Sequence, residues 1–185
     1  MSEELPPLPG LALVAILLFL NGLFVAAEFS LVTVDRALVR RKAAAGDPGA
    51  AGVDKALSSL STQLSGAQLG ITVTALLVGY VAEPLIGESV GTALGGVGVP
   101  SGVGIAIGTV GALLLSTFVQ MLFGELFPKN LAISRPEPVA VWLAGSTLLY
   151  LRLLGWLIAF FDKSSNALLR LFGMEPVHDV DQAAS

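Results

Sequence analysis

Three long apolar stretches alternate with short polar ones along this chain. The first runs from about Leu8 to Val34 and is interrupted by one formal charge, Glu28. With a rise of 1.5 Å per residue, it is more than long enough to cross a hydrocarbon core of roughly 30 Å. The second, about Leu64 to Val81, is shorter, contains Gln68, Gly70, Thr72, Thr74 and Gly79, and ends at Glu83-Pro84. The third, about Val103 to Phe127, ends at Pro128-Lys129-Asn130. This pattern predicts three transmembrane helices. Between the first two lies a polar stretch, 35–60, with Arg36, Arg40, Arg41, Lys42 and a Gly46-Asp47-Pro48-Gly49 turn. Its second half, Ala50–Leu60, reads as a short amphipathic helix, and Ser58, Ser59, Ser61, Thr62 and Ser65 offer N-cap oxygens to the next element. The connector 85–101 is rich in glycine and contains Pro100.

Pro138–Phe161 is also long and apolar enough for a span, with Trp142, Tyr150 and Trp156 as interfacial anchors. Against a fourth crossing, Arg152 would sit near its middle, at a cost of a few kcal/mol. Lys163 and Arg170 would also be left outside. The preferred reading is a helix lying along the cytoplasmic interface, with Arg152 reaching to water.

Composition agrees with the pattern. A soluble domain is roughly a quarter charged, whereas charged residues here make up 13%, hydrophobic residues 54%, and mean hydropathy is +0.81. There is no cysteine, which excludes disulfides and thiolate metal sites. A net charge of −4 gives no reason to expect nucleic acid. Met1–Gly10 holds Glu3 and Glu4 but no Lys or Arg, and the following apolar run is too long for a signal-peptide core. Every Lys and Arg lies either in Arg36–Lys55 or from Lys129 onward, while the stretch between the second and third spans carries only Glu83 and Glu88. Three crossings with the N-terminus outside put all basic residues on the cytoplasmic side. The expectation is a multi-pass protein of the inner (plasma) membrane with a cytoplasmic C-terminus.

Polar groups inside spans are costly, so each is a candidate for function. Glu28, Glu125 and Gln68 are expected at similar depth in the cytoplasmic half of the three helices. Asn21 stands seven residues before Glu28 on the same helix face, and Ser30 adds a hydroxyl nearby. Carboxylate, amide, hydroxyl and carbonyl oxygens gathered this way suit a hard cation. Gly66, Gly70 and Gly124 would allow broken helices with free carbonyls. Plainer readings stay open. Glu125 and Lys129 have i, i+4 spacing, Glu28 has Arg36 within reach, and Gln68 and Asn21 could simply bond helices together. Gly104, Gly108 and Gly111 fit either packing within the chain or a dimer face. No HExxH, GxSxG or Walker A sequence is present, so enzymatic activity is not expected. His178 reads as a bystander.

Three motifs bear a family resemblance. Asn21-Gly22-Leu23-Phe24-Val25-Ala26-Ala27-Glu28-Phe29-Ser30-Leu31-Val32, Leu64-Ser65-Gly66-Ala67-Gln68-Leu69-Gly70-Ile71-Thr72 and Phe123-Gly124-Glu125-Leu126-Phe127-Pro128-Lys129 resemble, in order, the signatures of the CorC/cyclin M (CNNM) transmembrane domain. The resemblance implies an all-α membrane protein: three transmembrane helices over 1–135, short helices, and a cytoplasmic juxtamembrane belt over 136–175. The polar tail 176–185 would lead to a CBS-domain pair, and the chain stops where that pair would begin. The resemblance also implies a homodimer that transports Mg²⁺, generally exporting it, with Na⁺ entering in exchange. By it, Glu125 is the first metal-ligand candidate, followed by Asn21, Glu28, Gln68 and Gly70. Ser30 stands where the family pattern commonly has alanine. The competing expectation is a Mg²⁺-sensing or anchoring module for cytosolic regulatory domains, with no transport of its own.

Overall fold

In lipid a segment must satisfy its own backbone hydrogen bonds, so long apolar runs become helices. The computed structural model describes residues 7–95 and 101–174. The tail expected over 176–185, with His178, lies outside the described residues, as do residues 96–100 of the connector. All regular structure among the described residues is helical. The order is α1 (Pro7–Thr33), α2 (Arg36–Ala44), α3 (Pro48–Leu57), α4 (Leu60–Gly95), α5 (Ser101–Val119), a π-helical turn (Gln120–Leu126), α6 (Phe127–Ser134) and α7 (Pro136–Leu171). Four segments are long and apolar enough to cross a membrane: Leu8–Thr33, Leu60–Ala82, Gly102–Ser134 and Pro136–Leu171.

Two boundaries differ from the sequence pattern. Glu83-Pro84 does not end the second long helix: α4 continues through Pro84 to Gly95. Proline removes one N–H, but a long apolar helix tolerates the loss where its surroundings re-satisfy the freed carbonyl. Nor does Pro128 end the third. The chain passes from α5 through the π turn into α6, with Pro128 as the second residue of α6.

The chain forms two compact units, Met1–Gly22 with Ile71–Pro128, and Leu23–Gly70 with Lys129–Ser185. In the first, α1 and α4 approach closely where Gly10 faces Leu85, whose Cδ1 lies 2.6 Å from where a Cβ would stand. Leu114 and Phe118 of α5 are exposed, as lipid-facing residues are.

The second unit is built on a helical hairpin. Asp35 caps α2 by accepting from the Leu38 N–H at 3.0 Å, and Asp47 caps α3 by accepting from Gly49 and Ala50 at 2.8 and 3.0 Å. Between the two helices Gly46 takes φ +92°, and the Asp47 N–H reaches back to the Lys42 carbonyl at 3.1 Å, closing a Schellman-type end. Ser58 and Ser59, expected as N-caps, instead donate backward to Lys55 and Ala56 carbonyls at the end of α3. The hairpin buries Val39, Ala50, Val53 and Ala56 against Leu31 of α1, Val34 just after it, and Ala140 and Ala144 of α7. A second cluster joins Ala26 and Ala27 to Ala132, Val139 and Leu143, small residues that let helices meet closely. Lys42 pairs with the Glu137 carboxylate, tying α2 to the start of α7, and Arg40 lies 3.9 Å from Asp54.

Glycines on α4 shape the contact with α7. A Cβ on Gly66 would stand 2.7 Å from Leu151 and 3.1 Å from Ile158, two residues two turns apart on α7. One on Gly70 would stand 2.7 Å from the Phe24 ring, which itself packs at 5.0 Å on Tyr150. Truncating Val53, fully buried, to Ala should cost about 2 kcal/mol and lower the thermal midpoint of the detergent-purified chain. The same truncation at exposed Leu114 should leave the midpoint unchanged; equal effects would mean that the hairpin core does not stabilise this unit.

Candidate functional site

The polar cluster of the first unit begins with a proline. In an α-helix the carbonyl of residue 124 accepts from the N–H of residue 128, but residue 128 is Pro and has none. The Gly124 carbonyl is taken instead by Asn21: its Nδ2 donates at 2.8 Å, although the two residues are 103 positions apart. Asn21 is wholly buried. Its Oδ1 accepts from the Thr74 hydroxyl at 2.8 Å, and Thr74 Oγ also lies 3.1 Å from the Ile71 carbonyl of its own helix. Three helical segments thus meet through one amide.

The π turn Gln120–Leu126 surrounds this contact. Such turns are rare and often mark functional sites, because the widened helix re-aims carbonyls and side chains. Here the Phe127 N–H reaches the Leu122 carbonyl, five residues back. Both amide atoms of Gln120 are buried with no hydrogen-bond partner in the protein. A Cβ on Gly124 would stand 3.0 Å from Gln120 Nε2 and 3.0 Å from Asn21 Nδ2. Gly124 therefore leaves room for two amide groups on one side of the turn. On α1, a Cβ at Gly22 would lie 3.5 Å from the Phe123 carbonyl and from Pro128, so the helix packs against the turn directly.

Of the residues singled out in the sequence, Asn21 and Glu125 belong to this first unit. Glu125 follows Gly124 in the π turn, and its side chain is exposed on the single chain. Glu28, Ser30, Gln68 and Gly70 belong to the second unit. Glu28 is half-buried, and its pairing with Arg36 is not among the ion pairs of the described residues. Ser30 is buried and donates to the Ala27 carbonyl at 3.1 Å, within its own helix. Gln68 is exposed, and Gly70 gives the Phe24 ring room. Lys129 places its ammonium 4.7 Å from the Phe29 ring centroid, a cation–π contact.

Thr74 and Gln120 were not singled out as ligands from sequence. Gln120 carried a legible signal, since it is an amide inside an apolar span, four residues before Gly124. Thr74 carried none beyond being one of several hydroxyls on α4. Chemically the cluster offers amide, hydroxyl and carbonyl oxygens with one carboxylate next in the chain. No three Asp, Glu or His side chains converge among the described residues. This is a hard-oxygen environment of low charge.

Long apolar helices that hold such a cluster inside a helical unit define a multi-pass membrane protein. The sequence profile of the cyclin M transmembrane N-terminal domain matches residues 12–184, and the chain belongs to that family. It is 40% identical over 163 residues to the UPF0053 protein MT1890 of Mycobacterium tuberculosis, covering 88% of this chain and 36% of that one. It is 30% identical over 164 residues to the UPF0053 protein YugS of Bacillus subtilis, covering 89% and 38%. The chain thus spans somewhat over a third of the length of these relatives.

Asn21→Ala would leave the Gly124 carbonyl without its side-chain donor in an apolar unit, while the Thr74 hydroxyl keeps the Ile71 carbonyl as acceptor. A loss of about 1–3 kcal/mol is expected, read as a lower thermal midpoint in detergent. Pro128→Ala should act more mildly, by restoring an N–H that competes with Asn21 for the Gly124 carbonyl. An unchanged midpoint for Asn21→Ala would show that this network does not hold the unit together.

Proposed function

We propose that this domain carries Mg²⁺ out of the cytoplasm, with Na⁺ entering in exchange, as a homodimer in the inner (plasma) membrane. The observation that carries the reading is the buried Gln120 amide, unpartnered beside Asn21 and the Gly124 carbonyl in a π turn that also bears Glu125. A polar side chain buried in an apolar unit without a partner is costly, and a bound cation with its water accounts for it. Mg²⁺ keeps much of its hydration shell and prefers oxygen ligands. Neutral oxygens from Asn21, Gln120 and Thr74 with the charge of Glu125 fit that preference. Glu28, Ser30, Gln68 and Gly70 stay candidate metal ligands on the family resemblance alone.

The charge pattern supports an external N-terminus and a cytoplasmic C-terminus. In the same reading α7 lies along the cytoplasmic interface as a belt. The cytosolic CBS pair of a longer polypeptide would follow.

Calorimetric Mg²⁺ titration of the purified chain tests the site. Saturable binding is expected in the wild type, abolished in Glu125→Ala and weakened about 10- to 100-fold in Gln120→Leu, the range seen when polar support of a metal site is removed. Mg²⁺ flux in proteoliposomes, driven by a Na⁺ gradient, then separates transport from sensing. Binding without flux would leave a sensor, and no binding in any protein would leave an anchor for cytosolic domains.

A further inference from the structure

The helix α7 has two faces of different chemistry. One is packed: Ala140, Leu143 and Ala144 are buried in the cores described above, Tyr150 meets Phe24, and Leu151 and the buried Ile158 press on Gly66. At 3.6 residues per turn these positions fall on one side of the helix. The opposite face carries Trp142, Leu149, Arg152, Leu153, Trp156 and Phe160, all exposed. Trp142 and Trp156 are 67% and 73% exposed, although buried surface is the usual place for an indole.

Arg152 sits in the centre of that apolar face. It makes no ion pair among the described residues. The next carboxylate along the helix, Asp162, is half-buried and ten positions on, beside the exposed Lys163. The other acidic group of α7, Glu137, is already paired with Lys42. An arginine flanked by Leu149, Leu153 and Trp156 has apolar surface beneath its aliphatic stem and, among the described residues, no carboxylate paired with its guanidinium. Tryptophan beside a basic residue, on an exposed apolar helix face, matches the boundary between acyl chains and headgroups. The anion available at that depth is a lipid phosphate, which the guanidinium fork binds in bidentate fashion.

We propose that the outward face of α7 is a binding site for anionic phospholipid of the cytoplasmic leaflet, with Arg152 holding the headgroup phosphate and Trp156 anchoring the helix beside it. Lys163, three turns further on the same side, adds a second cation. This rests on the interfacial placement of α7, and it goes beyond that placement by assigning a lipid class and a ligand residue. Neutral phosphatidylcholine also carries a phosphate, but its choline cation opposes an arginine and a lysine. A net negative headgroup complements them.

The only two tryptophans of the chain, Trp142 and Trp156, both lie on α7, so intrinsic fluorescence reports on this helix alone. They are 14 residues apart, roughly 21 Å along the axis. The chain and its Trp142→Phe and Trp156→Phe variants would be reconstituted in phosphatidylcholine vesicles with acyl chains brominated near the headgroup or near the bilayer centre. An interfacial helix gives both tryptophans the same shallow depth in one leaflet, whereas a spanning helix puts them in opposite leaflets, about 21 Å apart. Brominated lipid exchanged into the outer leaflet, with the chain in one orientation, therefore quenches both or neither in the first case and only one in the second. Vesicles in which only phosphatidylglycerol is brominated then compare lipid classes at Trp156. Phosphatidylglycerol should be favoured over phosphatidylcholine by roughly fivefold, the factor that one Lys or Arg supplies at an anionic surface. Arg152→Gln should abolish the preference and Arg152→Lys keep most of it. Both tryptophans shallow in the same leaflet with no lipid preference would overturn the lipid site and leave the interfacial helix standing. Tryptophans in opposite leaflets, or one of them deep, would show that α7 spans, and would overturn both.

Discussion

The hydrogen bond from Asn21 to the Gly124 carbonyl is the contact on which the first unit turns. In a membrane every backbone carbonyl needs a donor from within the protein. Pro128 removes the donor that an α-helix would give Gly124, and the π turn shifts the neighbouring bonds by one residue. A side chain from α1, itself held by Thr74 of α4, fills the gap at 2.8 Å. Glycine at 124 follows from the same contact, since a Cβ there would press on two amide groups. One missing N–H thus links three helical segments, the π turn and the polar cluster that holds the unpartnered Gln120 amide.

The second unit is held differently. Its hairpin of α2 and α3 is a small water-soluble type of core, with capped helix ends and Val39 and Val53 fully buried. That core is clamped between the end of α1 and the start of α7. Further along, alanines and glycines replace bulky side chains, and contacts such as Ala26 with Ala132 depend on close approach rather than on the exclusion of water. The Lys42–Glu137 pair, half-buried, adds orientation more than stability.

Much of the site was legible because charge and amide groups stand out in apolar runs. Asn21 and Glu125 could be picked by that rule alone, and Gln120 by the same rule applied once more. Gly124 was legible only as a glycine near Glu125; that its carbonyl would be bonded by Asn21 depends on a contact across 103 residues of chain. Ser30 shows the opposite case. Its hydroxyl is inside a span, yet it donates to Ala27 one turn back, and sequence does not separate such local bonding from a ligand's role. The serines at 58 and 59 misled as caps, since a hydroxyl between two helices can serve either one.

By itself the sequence determined that the chain is helical, membrane-embedded and divided into apolar runs with a basic loop between the first two, because hydropathy and charge act locally along the chain. Asp35, Gly46 and Asp47 likewise set the hairpin ends through neighbours two to five residues away. Only the tertiary structure decided that Pro84 and Pro128 lie within continuous helical segments, since a proline's effect depends on what else can satisfy the carbonyl it frees. Only the tertiary structure, too, put Asn21 on Gly124 and turned the packed face of α7 inward, leaving Arg152 and both tryptophans outside. Those outcomes depend on which surfaces meet, and hydropathy does not choose between partners of equal apolarity.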